Sequence, residues 1–140
     1  MKKTYIDSGV LIEAFRGTNP SAVKALRILD DPDRKFVVSD YLRLEVLPKP
    51  IFHKRKVEID FMQAFLDGAA ENLSTSPEVT GRALEYASKY DLRPVDALHV
   101  GAAAVAGVDE FVTLERPTKP ICKVKEVKVV SIHPESEAVR

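Results

Sequence analysis

The feature that most constrains this chain is an alternation of short β-rich runs with longer segments of helical period. Thr4-Tyr5-Ile6 reads as a first strand and Ser8 to Phe15 as a helix with Leu11, Ala14 and Phe15 on one face. Asn19-Pro20 opens a second helix by the cap-plus-proline signal, with Ala22, Ala25, Leu26 and Leu29 inward. Phe36-Val37-Val38 is the second strand, and Ser39 or Asp40 caps a helix that runs to about Leu47, where Pro48 and Pro50 end it. From Lys56 the residues Phe61, Met62, Phe65, Leu66 and Ala69 form an apolar helical stripe, and Ser76-Pro77 starts a helix carrying Val79, Ala83, Ala87 and Tyr90. A short strand at Asn72 to Ser74 falls between these two helices. Pro94 begins a helix to about Ala106 that is apolar almost all round, so it belongs in the interior. Glu110 to Thr113 and Val127 to Ile132 supply the last two strands.

Strands that alternate with helices predict an α/β fold: three layers, α/β/α, around a mostly parallel sheet of four or five strands. At 140 residues the chain is one domain. Its expected extent is 1–133, followed by a short tail at 134–140. Cys122 is the only cysteine, which excludes an intrachain disulfide and a cysteine zinc cluster and fits a reducing cytoplasm. The basic start Met1-Lys2-Lys3 is not followed by a leader core, because Asp7, Glu13 and Arg16 interrupt the apolar stretch, and no run is long enough to cross a bilayer. The expected location is cytoplasmic, with no membrane partner. The 21 basic residues balance 21 acidic ones. That excludes a general nucleic-acid coating protein, which needs excess cations to release counterions, but not an enzyme touching a short segment.

Four acids stand at or just past strand ends, or early in the helix that follows: Asp7, Glu45, Asp96 and Glu115. Each has an ordinary role open to it. Asp7 suits a helix cap, Glu45 a solvent-facing helix position, Asp96 the positive end of a helix dipole, and Glu115 a loose pair with Arg116. Together they say more, because carboxyl ends of parallel strands converge and in open sheets such ends build the site. Clustered carboxylates repel unless a cation compensates, and hard oxygen donors suit Mg²⁺ or Mn²⁺. Phosphodiester hydrolysis is the chemistry such a site supports, with no nucleophilic side chain needed. The sequence also lacks a nucleophile elbow, a Walker loop, a dinucleotide fingerprint and a His-Glu-x-x-His pair.

These residues resemble the PIN-domain nucleases, and within them the single-domain VapC-type toxins of toxin–antitoxin pairs. Tyr5-Ile6-Asp7-Ser8-Gly9-Val10-Leu11-Ile12 is similar to the family's opening strand and first acid, and Ser39 to Glu45 to its second-acid helix. Pro94-Val95-Asp96-Ala97-Leu98-His99-Val100-Gly101-Ala102-Ala103 is similar to its third-acid helix, and Phe111-Val112-Thr113-Leu114-Glu115 to its final motif. The resemblance implies a Mg²⁺- or Mn²⁺-dependent endoribonuclease, a homodimer, and neutralisation by a cognate antitoxin protein. It makes Asp7, Glu45 and Asp96 the metal acids, with Thr113 shaping the site and Ser8 beside the first acid. The last motif departs from the usual pattern, which places Asp after the strand and often another two residues later; here stand Glu115 and Pro117. The longer Glu115 completes the site through water or from the outer shell.

His99 lies three residues after Asp96 on nearly the same helix face, where it positions substrate or water, or serves as a hydrogen-bonded helix histidine; the second is preferred. His53 and His133 show no ligand spacing. Two basic clusters are candidates for RNA phosphates: Lys49, Lys54, Arg55 and Lys56, and Arg116, Lys119, Lys123 and Lys125. The second adjoins Glu115 and is the better candidate. Phe61, Met62 and Phe65 read as core or dimer interface rather than a stacking platform. The rival function is a nonenzymatic PIN-like module that binds RNA or protein, its acids serving as caps or as a degenerate site. A doubly wound phosphoacceptor regulator fits less well, because no phosphorylation constellation is present.

Overall fold

The computed structural model describes residues 1–138. Five strands, β1 (Lys2–Ile6), β2 (Arg34–Ser39), β3 (Glu71–Leu73), β4 (Glu110–Thr113) and β5 (Val129–Ser131), form one sheet in the order β3-β2-β1-β4-β5. Every neighbouring pair is parallel. Around it lie α1 (Ser8–Arg16), α2 (Pro20–Leu29), α3 (Asp40–Val46), α4 (Pro48–Phe52), α5 (Lys56–Asp67), α6 (Pro77–Tyr90), α7 (Pro94–Ala106) and α8 (Pro134–Ala138).

Strand periodicity of two sorts side chains into two cores. Tyr5, Val37 and Phe111 face one way and pack with Val79, Ala83 and Tyr86 of α6 and Ala97, Val100 and Ala103 of α7. Ile6, Val38 and Val112, one residue on, face the other way and pack with Val10 and Leu11 of α1, Ala25 of α2, Leu42 of α3, and Met62 and Leu66 of α5. The expected three-layer α/β/α architecture is the one observed.

Side-chain caps set most helix starts. Asp7 accepts from Val10 N–H, Asn19 from Ala22 N–H, Ser39 from Leu42 N–H and Ser76 from Val79 N–H, each satisfying a donor that the helix leaves over. Gly107, at φ 67°, closes α7 in the left-handed region that glycine adopts without a Cβ penalty.

Three local expectations need correction. Pro48 does not simply end α3: it is the first residue of α4, where its missing N–H costs nothing and its fixed φ suits the helix. Leu26, read as inward, is 39% exposed, and the side of α2 against the core is formed by Ala22 and Ala25 with Ile28 and Leu29 partly buried beside them. The last strand is shorter than Val127 to Ile132, because the chain before Val129 is still turning away from the 3₁₀ turn at Pro120–Lys123. In the segment expected as a tail, Pro134–Ala138 form α8, while residues 139 and 140 lie outside the described residues. The aromatic stripe is core: Met62 is buried, Phe61 meets Phe15 and Phe65 meets Phe36 with ring centroids 5.2 and 5.3 Å apart.

Candidate active site

From β1 the chain moves outward to β2 and β3, then returns to the other side of β1 as β4 and β5. The strand order therefore reverses between β1 and β4, and a crevice opens beyond their carboxyl ends. Asp7 leaves β1 there and Thr113 ends β4 opposite it. The Asp7 N–H donates to the Val112 carbonyl at 3.2 Å, and its side chain receives the Thr113 hydroxyl on Oδ2 at 2.5 Å and the Val10 N–H on Oδ1 at 3.2 Å. Asp7 is thus a cap and a site residue at once. Thr113 Oγ1 in turn accepts the Glu115 N–H at 3.1 Å, which folds the loop after β4 back over the site.

Burial pushes the Asp7 carboxyl up to about 6, against the Thr113 and Val10 hydrogen bonds; His99 draws it down and Glu115 pushes it further up. Asp96, in the first turn of α7, is also raised, by burial and then by the negative charge of Glu115, with Glu45 adding to the effect and His99 and Arg93 opposing it. Glu45, on the last turn of α3, goes the other way: the His99 hydrogen bond holds its carboxyl below the ordinary range, against its partial burial, and Ser8 adds a second hydrogen bond. The Glu115 charge acts on both Asp7 and Asp96, and the Glu45 charge on Asp96 as well, so these carboxylates share an electrostatic neighbourhood.

Their arrangement is open rather than closed. Among the described residues no three His, Cys, Asp or Glu side chains are grouped tightly enough to hold a metal ion as they stand. By donor chemistry the set still fits a hard divalent cation: carboxylate oxygens, two of them paying for their charge through burial and mutual repulsion, which a cation would relieve. Asp7, Glu45 and Asp96 are the residues that would hold it.

A cleft of about 420 Å³ is lined by Arg93, Asp96, Glu115 and Lys119 among others, with Asp7 and Glu45 not in its lining. Arg116 lies just outside, 3.8 Å from Glu135. Lys54 and Arg55 sit in the turn between α4 and α5, where Arg55 approaches Glu58 at 4.0 Å; neither lines the cleft. His99 is only 2% exposed and hydrogen-bonded on both ring nitrogens, to Tyr5 and to Glu45, in keeping with the preferred reading of a hydrogen-bonded helix histidine. Sequence reasoning missed Arg93 and Tyr5. Arg93 carried no motif signal, whereas a tyrosine in a strand that is otherwise core implies a partner for its hydroxyl.

The PIN domain family model matches residues 4–117. The chain is similar in structure to VapBC2 from Rickettsia felis bound to a DNA fragment from their promoter, with a TM-score of 0.71 and 14% identity over 92% of this chain and 98% of that one. It is similar to a toxin–antitoxin complex from Klebsiella pneumoniae, with a TM-score of 0.69 and 21% identity over 93% and 98% of the two chains. A Mycobacterium tuberculosis VapC toxin that cleaves the sarcin–ricin loop aligns with a TM-score of 0.64 and 12% identity over 89% and 98%. No curated protein matches the chain by sequence. At these identities the solved structures establish the fold, whereas the family model spans both the Asp7 strand and the Glu115 loop. The chain belongs to the PIN domain family.

Proposed function

We propose that this protein is a metal-dependent endoribonuclease and the toxin of a type II toxin–antitoxin module, cytoplasmic and homodimeric, with residues 1–133 as its working domain. The observation that carries the reading is Asp7, at the end of β1 where the strand order reverses and bound to Thr113 of β4, with the Glu115 charge acting on both it and Asp96. Family membership supports nuclease chemistry. The toxin–antitoxin complexes among the similar structures support a protein antitoxin as partner.

Asp7, Glu45 and Asp96 would hold Mg²⁺ or Mn²⁺, which would supply Lewis-acid charge stabilisation for hydrolysis at phosphorus. The chain's own residues prepare that chemistry. Thr113 and the Val10 N–H fix both oxygens of Asp7, Ser8 and His99 restrain Glu45, and Glu115 is an exposed residue of the cleft lining. Arg93, Lys119 and Arg116 offer cations to the phosphates of an RNA strand entering the cleft. In an Asp7→Asn background, Lys119→Ala and Arg116→Ala are each expected to weaken RNA binding uniformly across sequences and to lower the slope of log affinity against log salt by about one, measured by fluorescence anisotropy.

One observation favours the rival, a PIN-like module without catalysis: the acids do not stand as a preformed three-ligand group among the described residues. Calorimetric titration with Mn²⁺, run beside RNA cleavage with and without EDTA, separates the two. The nuclease reading expects Mn²⁺ binding that Asp96→Asn abolishes and cleavage that stops with EDTA and returns with Mn²⁺. Absence of both carboxylate-dependent binding and cleavage establishes the rival.

A further inference from the structure

Tyr5 occupies a core position on β1, and its ring stacks on Phe111 with centroids 5.3 Å apart and planes 7° from parallel. A phenylalanine would fill that space equally well. The hydroxyl is therefore an added buried polar group, which costs stability unless it is used. It lies 2.5 Å from Ser39 Oγ and 2.6 Å from His99 Nδ1, and His99 Nε2 meets Glu45 Oε1. Ser39, Tyr5 and His99 are all buried, so water does not substitute for any of them.

Counting protons orders the chain. The Glu45 carboxylate can only accept, so it faces an Nε2–H, and in a neutral His99 imidazole Nδ1 is then an acceptor. Nδ1 takes the Tyr5 hydroxyl proton, which leaves the Tyr5 oxygen to accept from Ser39 Oγ, itself an acceptor of the Leu42 N–H at 3.2 Å. Each donor is used once, and the chain runs from the carboxyl end of β2 through β1 and α7 to α3.

The geometry points to a positioning device: Tyr5, backed by Ser39, holds His99 in its Nε2–H tautomer, and His99 holds Glu45 in the orientation in which its remaining lone pairs serve a divalent cation. Glu45 is the acid that most needs this, because it projects from the last turn of a seven-residue helix with its side chain 35% exposed. Restraining its torsions before the cation arrives lowers the entropy lost on binding. Outer partners of a ligating side chain act in this way in metal sites generally. The inference rests on the proposed metal site and assigns Tyr5, Ser39 and His99 no contact with substrate.

The test uses the full chain with two readouts, ¹⁵N NMR of the His99 imidazole without metal and calorimetric titration with Mn²⁺. The parent is expected to show the Nε2–H tautomer. Tyr5→Phe, which keeps the ring stacked on Phe111, is expected to mix the tautomers and lose about 10- to 100-fold in Mn²⁺ affinity. His99→Gln places an amide donor within reach of Glu45 without needing Tyr5, so it is expected to bind Mn²⁺ within a few-fold of the parent. Tyr5→Phe added to His99→Gln should then cost nothing more, a non-additivity that simple loosening of the core would not produce. Parental Mn²⁺ affinity in Tyr5→Phe, or the same loss in both backgrounds, overturns the positioning role while leaving the metal site standing. Mn²⁺ binding by the parent that Glu45→Gln leaves unchanged overturns the assignment of Glu45 itself.

Discussion

Asp7→Asn is expected to slow RNA cleavage by about 10²–10³-fold or more and, in the metal-free protein above pH 7, to raise the unfolding temperature. Both effects come from one buried charge. Asn caps a helix about as well as Asp, so the Val10 hydrogen bond survives, and the Asn amide still has Thr113 Oγ1 as a partner. What disappears is a carboxylate whose folded pKa, about 6, lies above its ordinary 3.8. A folded state that binds its proton more tightly loses stability as pH rises between those values and regains it as pH falls from about 6 toward 4. Two pKa units correspond to about 2–3 kcal/mol at neutral pH. Thermal melts in EDTA should therefore show the parent gaining on Asp7→Asn as the pH falls through that window, with Asp7→Asn the more stable of the two above it. Added Mn²⁺ should narrow the gap, because the cation stabilises only the form that binds it. Parental cleavage by Asp7→Asn removes Asp7 from the site; equal melting curves at every pH show that its charge costs the fold nothing.

The sequence made the frame legible where period and punctuation agreed. β4 has the predicted bounds, and Asn19, Ser39 and Ser76 cap as their residue types suggest, because both signals are local. α4 escaped because Pro48 and Pro50 were taken as stops, although proline is equally at home in a first turn, and only packing shows which meaning applies. At the site, the order of the acids leads to the expectation that they converge, since parallel strands bring their carboxyl ends to one edge. Their individual environments were not legible. The Glu45 carboxyl is lowered and that of Asp96 raised, a difference set by the His99 hydrogen bond on one and by burial, then the Glu115 charge, on the other. Nor does any local pattern link Tyr5 to His99, since the contact spans 94 positions and depends on the register of β1 under α7. Lys54 and Arg55 are the weaker basic candidates in the sequence as well, and the fold puts them on the turn into α5, outside the cleft that Lys119 lines.

The same helix that carries Asp96 and His99 supplies the second large effect. α6 and α7 pack against each other more extensively than any other pair of elements, and Gly101 sits against the α6 backbone. A Cβ there would stand 2.9 Å from the Val79 carbonyl oxygen and 3.1 Å from the Ala83 nitrogen, both backbone atoms that cannot swing aside. Helix propensity alone says that Gly101→Ala gains up to about 1 kcal/mol. Overpacking costs about 1–3 kcal/mol and reverses the sign, because relief requires the two helices to separate. Gly101→Leu should exceed that range and remove much of the 5–15 kcal/mol that holds an average domain together. Gly81 on α6 is the internal control: its Cβ would meet nothing within 4 Å, so Gly81→Ala should stabilise by about 0.5–1 kcal/mol. Urea unfolding of the three variants measures both signs in one host. Gly101→Ala should also weaken Mn²⁺ binding, since α7 cannot shift without moving Asp96 and His99 relative to Asp7 and Glu45. A Gly101→Ala protein as stable as Gly81→Ala would mean that α6 and α7 do not approach this closely, and that the placement of Asp96 against Asp7 rests on something other than this contact.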